Sequence, residues 1–223
     1  MLKISILSSG KMTGIYWDCD GTLMDTEKAY AYAWKDVLKK RNLNLPIEKF
    51  DDYVGIDDKL VHKKYSEQVD LPSFSETMDE IAALIIENFS DHTIFNDALV
   101  CLEYLQDLNW KQACVSASPQ QALEDKLKKA DISDYFDFVV GGDKVRPRNK
   151  PFPDIYNLAI KELKTTKNII VEDSPPGIQA GKASNNFVVA IDRGVFTGED
   201  LSNADLIVDE LTPKIFIDIN KSL

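Results

Sequence analysis

Short β-rich apolar runs alternate with stretches of helical period along most of the chain. The runs are Ile15-Tyr16-Trp17, Ala113-Cys114-Val115, Phe138-Val139-Val140, Ile169-Ile170-Val171 and Val188-Val189-Ala190-Ile191. This alternation predicts an α/β fold built on a parallel sheet. Two helix starts stand out. Ser118-Pro119-Gln120-Gln121 reads as an N-cap serine, a proline at the first helical position and a capping-box glutamine. Pro153 precedes Ile155, Tyr156, Ala159, Ile160 and Leu163, an apolar stripe of helical period.

One stretch, from about Thr26 to Thr93, holds helical patterns and no strand. Tyr30, Ala33, Trp34, Val37 and Leu38 recur at helical spacing, and Met78, Ile81, Ala82, Ile85, Ile86 and Phe89 repeat it. Two amphipathic helices with shorter helical pieces between them predict a small bundle inserted after the first strand, its aromatic stripe forming core. There are no internal repeats and no low-complexity segments.

The 223 residues suit one large domain or two small ones, and 44% apolar content excludes wholesale disorder. No apolar run approaches the roughly 20 residues of a membrane span, so a soluble protein is expected. The apolar stretch in Met1–Leu7 is too short for a secretory leader. With 26 basic against 37 acidic residues the net charge is −11, which argues against nucleic acid as a main partner. A small anionic substrate held by local cations stays compatible. Cys19, Cys101 and Cys114 form no CxxC pair, so neither a zinc site nor a disulfide frame is expected, and a cytoplasmic setting is.

In an open parallel sheet the chemistry sits at the carboxyl ends of the strands. Asp18-Cys19-Asp20-Gly21-Thr22 follows the first run, Ser116-Ala117-Ser118 the second, and Glu172-Asp173-Ser174 the fourth. Four carboxylates and a hydroxyl thus gather at one edge by topology. Their mutual repulsion, several kcal/mol without a counterion, implies a divalent metal, and oxygen-only ligands favour magnesium over zinc. In Asp18-Cys19-Asp20-Gly21 the acid-x-acid spacing lets both carboxylates reach one ligand, and Gly21 permits the turn behind them. Spacing alone does not separate this from an ordinary strand-ending turn. Strand alternation turns Cys19 away, as a small buried side chain.

The segment Tyr16-Trp17-Asp18-Cys19-Asp20-Gly21-Thr22-Leu23-Met24-Asp25-Thr26 resembles the first motif of the haloacid dehalogenase superfamily. The later motifs follow in order: Ser116, then Lys150 in Lys150-Pro151-Phe152-Pro153-Asp154, then the acidic Val171-Glu172-Asp173-Ser174-Pro175-Pro176-Gly177. The resemblance, from about residue 14 to about 192, implies a Rossmann-like core over 1–25 and 94–223 with helices on both faces, and an α-helical cap over 26–93. It implies Asp18 as nucleophile and Asp20 as acid and base. Magnesium would be held by Asp18, the main-chain carbonyl of Asp20 and Asp173, with Glu172 on the metal or on a water bound to it. Lys150 would supply fixed positive charge, and Ser116 with the main chain at Ala117 would bind phosphate. An aspartate at position 20 favours phosphate esters over carbon–halogen or carbon–phosphorus bonds.

Some stretches are similar to β-phosphoglucomutase, which uses a histidine and an arginine for its second phosphate. Tyr30 and an aspartate of Gly55-Ile56-Asp57-Asp58-Lys59 stand in those places. A magnesium-dependent phosphatase for a small sugar phosphate is therefore the expected activity, with a phosphomutase or a non-catalytic binding protein as alternatives. A response-regulator receiver would be far shorter. In Lys144-Val145-Arg146-Pro147-Arg148 either arginine is a candidate grip on a second anion, against a plain solvated loop supporting Lys150. His62 and His92 fit surface or cap packing, and Gly141-Gly142 a turn. Residues before Met12 are expected to be dispensable, and the chain monomeric.

Overall fold

The computed structural model describes residues 12–50, 58–88, 93–196, 198 and 200–223. Six parallel strands form one sheet in the order β3-β2-β1-β4-β5-β6. They are β1 (Thr13–Trp17), β2 (Lys111–Ser116), β3 (Phe138–Gly141), β4 (Lys167–Glu172), β5 (Phe187–Ile191) and β6 (Leu206–Val208). Ile15 lies between Gln112 of β2 and Ile169 of β4. The strand order reverses at β1, the point where an open parallel sheet offers a crevice at the carboxyl ends of its strands, here β1, β2 and β4. The five expected strands are present. β6 went unread because its three residues at the sheet edge carry no usable period.

Side chains alternate between the two faces, as the pleat requires. Ile15, Trp17, Cys114, Ile169, Val171, Val189 and Ile191 face α4 (Asn96–Asp107), α5 (Gln120–Lys129) and α8 (Pro213–Ser222). Tyr16, Ala113, Val115, Ile170, Val188 and Ala190 face α6 (Asp154–Leu163) and α7 (Pro175–Ala183). With both faces covered, the strands can be apolar throughout. Trp17 packs edge-on against Phe216 with ring centroids 5.4 Å apart, and its Nε1 donates to Gln112 Oε1 at 3.0 Å. Gln112 in turn donates to the Leu102 carbonyl at 2.9 Å, so this buried polar pair is satisfied.

The insert holds α1 (Thr26–Lys39), α2 (Asp58–Ser66) and α3 (Phe74–Asn88). Ala33, Trp34, Val37, Leu38, Val61, Tyr65, Ile81 and Leu84 make a separate hydrophobic cluster there. On α3 the expected stripe needs correction: Ala82 is exposed, and Thr77 and Leu84 are buried instead. α3 starts with a capping box, in which Ser73 and Glu76 bond each other's backbone N–H. The insert's two connections run side by side, with Phe95 N donating to Leu23 O at 3.0 Å and Asp25 N to Thr93 O at 2.9 Å. His62 packs edge-on against Phe74 and hydrogen-bonds the Pro72 carbonyl. His92, Gly55–Asp57 and the segment before Met12 lie outside the described residues.

Two local expectations change. α5 begins at Gln120, and Ser118 does not cap it, because its hydroxyl is turned toward Asp20. The Gln120 N–H is taken by Asp143 Oδ1 at 2.7 Å instead. Gly141 and Gly142 are the end of β3 and the start of a 3₁₀ turn rather than a free turn. A Cβ on Gly141 would lie 2.4 Å from the Gln120 nitrogen, so glycine lets the start of α5 close on the strand. Among the described residues no helix is long and apolar enough to cross a membrane.

Phe216→Ala, which empties the space beside Trp17, is expected to cost about 3–5 kcal/mol in a urea titration.

Candidate active site

Asp18 stands one residue beyond β1, where its N–H still bonds the Val171 carbonyl at 2.9 Å. Its carboxylate meets Lys150, which comes from the loop ahead of α6. The Lys150 ammonium donates to Asp18 Oδ1 at 2.6 Å, Glu172 Oε1 at 2.6 Å and the Val115 carbonyl at 2.9 Å, which accounts for all three of its protons. Asn149 holds the loop in place by donating from Nδ2 to the Ala117 carbonyl at 3.0 Å, while its Oδ1 accepts from the Lys150 N–H.

Glu172 ends β4 and is wholly buried. Its Oε1 also accepts from Tyr156 Oη at 2.6 Å, and Oε2 accepts from Ser174 Oγ at 3.1 Å and from the amides of Asp173 and Ser174. A Cβ on Gly177 would fall 1.9 Å from Oε1, so only glycine at that point of α7 leaves room for this carboxylate.

Carboxylate oxygens of Asp18, Glu172 and Asp173 lie within 4.8 Å of one another, an acidic group that could hold a metal ion. Burial, then the neighbouring Asp18 and Glu172 charges, pushes the Asp173 carboxyl up to about 9, with Lys150 pulling the other way. Burial and Glu172 likewise push Asp18 up to about 7. One lysine does not offset three crowded carboxylates, and the all-oxygen donor set fits a hard divalent cation. Gly21, at φ +85°, supplies the expected turn and a closer service: a Cβ there would lie 2.1 Å from Asp173 Oδ2. The Thr22 hydroxyl donates to Asp173 Oδ1 at 3.4 Å.

The Asp20 side chain stands apart from this group. Its Oδ1 pairs with the Lys126 ammonium, and Oδ2 accepts from Ser118 Oγ at 3.0 Å and Ser116 Oγ at 3.3 Å. Burial raises its carboxyl, but Lys126 and the two hydroxyls outweigh burial and leave it below the ordinary range. The structure thus gathers Asp18, Lys150, Glu172 and Asp173 in one cluster and Asp20 with Ser116 in a second, while Ala117 lends its carbonyl to Asn149.

Lys126, Ser118 and Tyr156 are site residues that the sequence did not reveal. Lys126 belongs to Lys126-Leu127-Lys128-Lys129, a pattern that reads as a solvated helix face, and Tyr156 sits within an apolar stripe. Cys19 is fully buried, and hydrogen bonding with Cys114 and then burial push its thiol up, so it is no nucleophile. Arg148 donates to Asp154 Oδ1 at 2.9 Å and lies over the Phe152 ring. Arg146 and Arg148 line an outer groove with Lys144 and Lys161, and none of the clustered acids lines it.

A family model described as haloacid dehalogenase-like hydrolase matches residues 15–191. A phosphorylated carbohydrates phosphatase of Thermotoga maritima is 28% identical over 188 residues, covering 78% of this chain and 82% of that protein. A phosphoglycolate phosphatase of Nitrosospira multiformis is 28% identical over 209 residues, covering 89% and 90%. Among solved structures, a β-phosphoglucomutase from Clostridium difficile superposes with a TM-score of 0.67 at 26% identity, covering 94% of this chain and 96% of that one.

Gly177→Ala is expected to lower stability by about 1–3 kcal/mol in denaturant melts, because the added methyl must displace Glu172. A second expectation concerns pH. The Asp18 and Asp173 carboxyls titrate higher in the fold than at their ordinary value of 3.8, so the folded protein keeps protons that the unfolded chain has released. Without a divalent cation, this pair's stabilisation is complete below about pH 4 and is lost as the pH rises to about 9. Thermal melts in chelator should show that decline. Added magnesium should raise Tm most at the alkaline end, and Asp173→Asn should flatten both effects.

Proposed function

The chain belongs to the haloacid dehalogenase-like hydrolase family, and within it we propose a magnesium-dependent phosphatase acting on a small phosphate monoester. The observation that carries this reading is a buried aspartate at the end of β1 held by a lysine, beside two further acids and a separately held Asp20. Asp18 is the nucleophile: an oxygen–phosphorus bond forms to its carboxylate as the ester oxygen departs. Asp20 gives that oxygen a proton and then takes one from the water that hydrolyses the aspartyl-phosphate. Lys150 offsets the repulsion between carboxylate and phosphate, and Ser116 and the main chain at Ala117 hold phosphate oxygens.

Asp18, Asp173 and the carbonyl of Asp20 are the proposed magnesium ligands. The ion supplies charge neutralisation at the transferring phosphoryl group. Both Glu172 oxygens already accept hydrogen bonds, so Glu172 acts as counterion to Lys150 and would help hold a metal only through a water.

The relative from Thermotoga maritima supports a sugar phosphate as substrate. Residues 26–93 form the cap in this reading, and the stretch around Gly55–Lys59 reads the substrate. Likeness to the Clostridium difficile enzyme supports a second reading, a phosphomutase. Against it, Tyr30 Oη donates to Asp58 Oδ1 at 2.5 Å, which keeps an acid where a mutase needs a cation for its second phosphate.

Phosphate release from a panel of sugar phosphates, phosphoglycolate and nucleotides is expected to need magnesium, to stop in chelator, and to fall at least about a thousandfold in Asp18→Asn. Conversion of β-glucose 1-phosphate to glucose 6-phosphate without phosphate release would establish the mutase instead.

A further inference from the structure

Every hydrogen bond described for the Asp20 carboxylate comes from β2, the turn after it, or α5. Lys126 on α5 pairs with Oδ1, while Ser118 and Ser116 donate to Oδ2 at 3.0 and 3.3 Å. Lys126 is only 9% exposed and lies on the same helix face as Leu123 and Leu127, which are part of the core. A leucine would suit that face. A lysine there carries a desolvation cost that only a partner offsets, and Asp20 is its one described ion-pair partner. Ser118 Oγ, 3.4 Å from Nζ, completes the cluster.

The two hydroxyls are not equivalent in the reaction. Ser116 has one proton to donate and gives it to a phosphate oxygen when substrate binds. Asp20 then keeps Ser118 and Lys126. One hydroxyl leaves a carboxylate free to turn about its terminal torsion, whereas donors on both oxygens fix its plane.

We propose that Lys126 is a positioning residue, fixing through its ion pair the orientation from which Asp20 passes protons during ester cleavage and hydrolysis. This rests on the phosphatase reading above. In the first half, a bond forms between an Asp18 oxygen and phosphorus, the phosphorus–ester oxygen bond breaks, and the departing oxygen takes a proton through Asp20, which is charged in the resting site and receives that proton from the phosphate monoanion as it binds. In the second, a water oxygen bonds to phosphorus, a water proton returns to Asp20, and the Asp18–phosphorus bond breaks with its electron pair returning to Asp18. Lys126 acts through Asp20 alone.

Two substrates isolate this role. p-Nitrophenolate leaves without needing a proton, whereas the alkoxide of an alkyl phosphate needs one. The ratio kcat/KM reports steps through phosphorylation of Asp18, and kcat also includes hydrolysis of the intermediate. In Lys126→Met, kcat/KM for the best alkyl phosphate is expected to fall about 10–100-fold. For p-nitrophenyl phosphate, kcat falls while kcat/KM stays within about threefold, so KM falls alongside. Lys126→Arg, which keeps the cation, recovers part of the loss. Asp20→Asn gives the same signature, and adding Lys126→Met to it causes no further loss.

Equal losses of kcat/KM on both substrates, losses that add to those of Asp20→Asn, or unchanged kinetics would overturn the proposal. If Lys126→Met melts below the assay temperature, Lys126→Gln is read against the same outcomes. A wild-type protein that hydrolyses neither substrate, or an Asp18→Asn protein that hydrolyses both, overturns the phosphatase reading itself and the inference with it.

Discussion

The Lys150 ammonium is the contact on which the site depends. Three carboxyl groups converge behind β1 and β4, and burial disfavours the charged forms of Asp18 and Asp173. Lys150 bonds two of them directly and spends its third proton on the Val115 carbonyl, so one cation ties together the ends of three neighbouring strands. Removing one partner of such a buried pair typically costs about 3–5 kcal/mol, because the other is left uncompensated. The remaining negative charge is what a divalent cation would neutralise.

That concentration of charge is tolerated because the surrounding backbone makes room for it. Gly21 and Gly177 stand where any Cβ would collide with Asp173 and Glu172 respectively. Tyr156 and Ser174 donate hydrogen bonds to Glu172, and Asn149 anchors the loop that brings in Lys150. Asp20 is managed differently. Its donors come from Ser116, Ser118 and Lys126, outside the metal-type cluster, so the two aspartates of one short motif have opposite environments: Asp18 is pushed up and Asp20 down. A divalent cation beside Asp18 would return it to the charged form that a nucleophile needs.

The insert is built on another principle. Its helices bury Trp34, Tyr65, Ile81 and Leu84 against each other, and its two connections lie side by side at Met24 and Ile94.

The sequence by itself determined the five long strands, the helical insert and the motif acids, because each of these is a local pattern. Short continuous apolar runs, stripes of period three-to-four, an acid-x-acid turn and a Glu-Asp pair are legible without knowing what lies opposite. It did not reveal β6, whose three edge residues hold too little pattern, nor the exposed side of α3 at Ala82. Lys126, Ser118 and Tyr156 were beyond its reach for a different reason. Each looks locally like something ordinary: a solvated lysine, a helix cap, an apolar stripe. Only tertiary structure decided their roles, since it is packing of α5 beside β3 that buries an ammonium on Asp20, and packing of α6 across β3, β2 and β1 that turns a phenol toward Glu172.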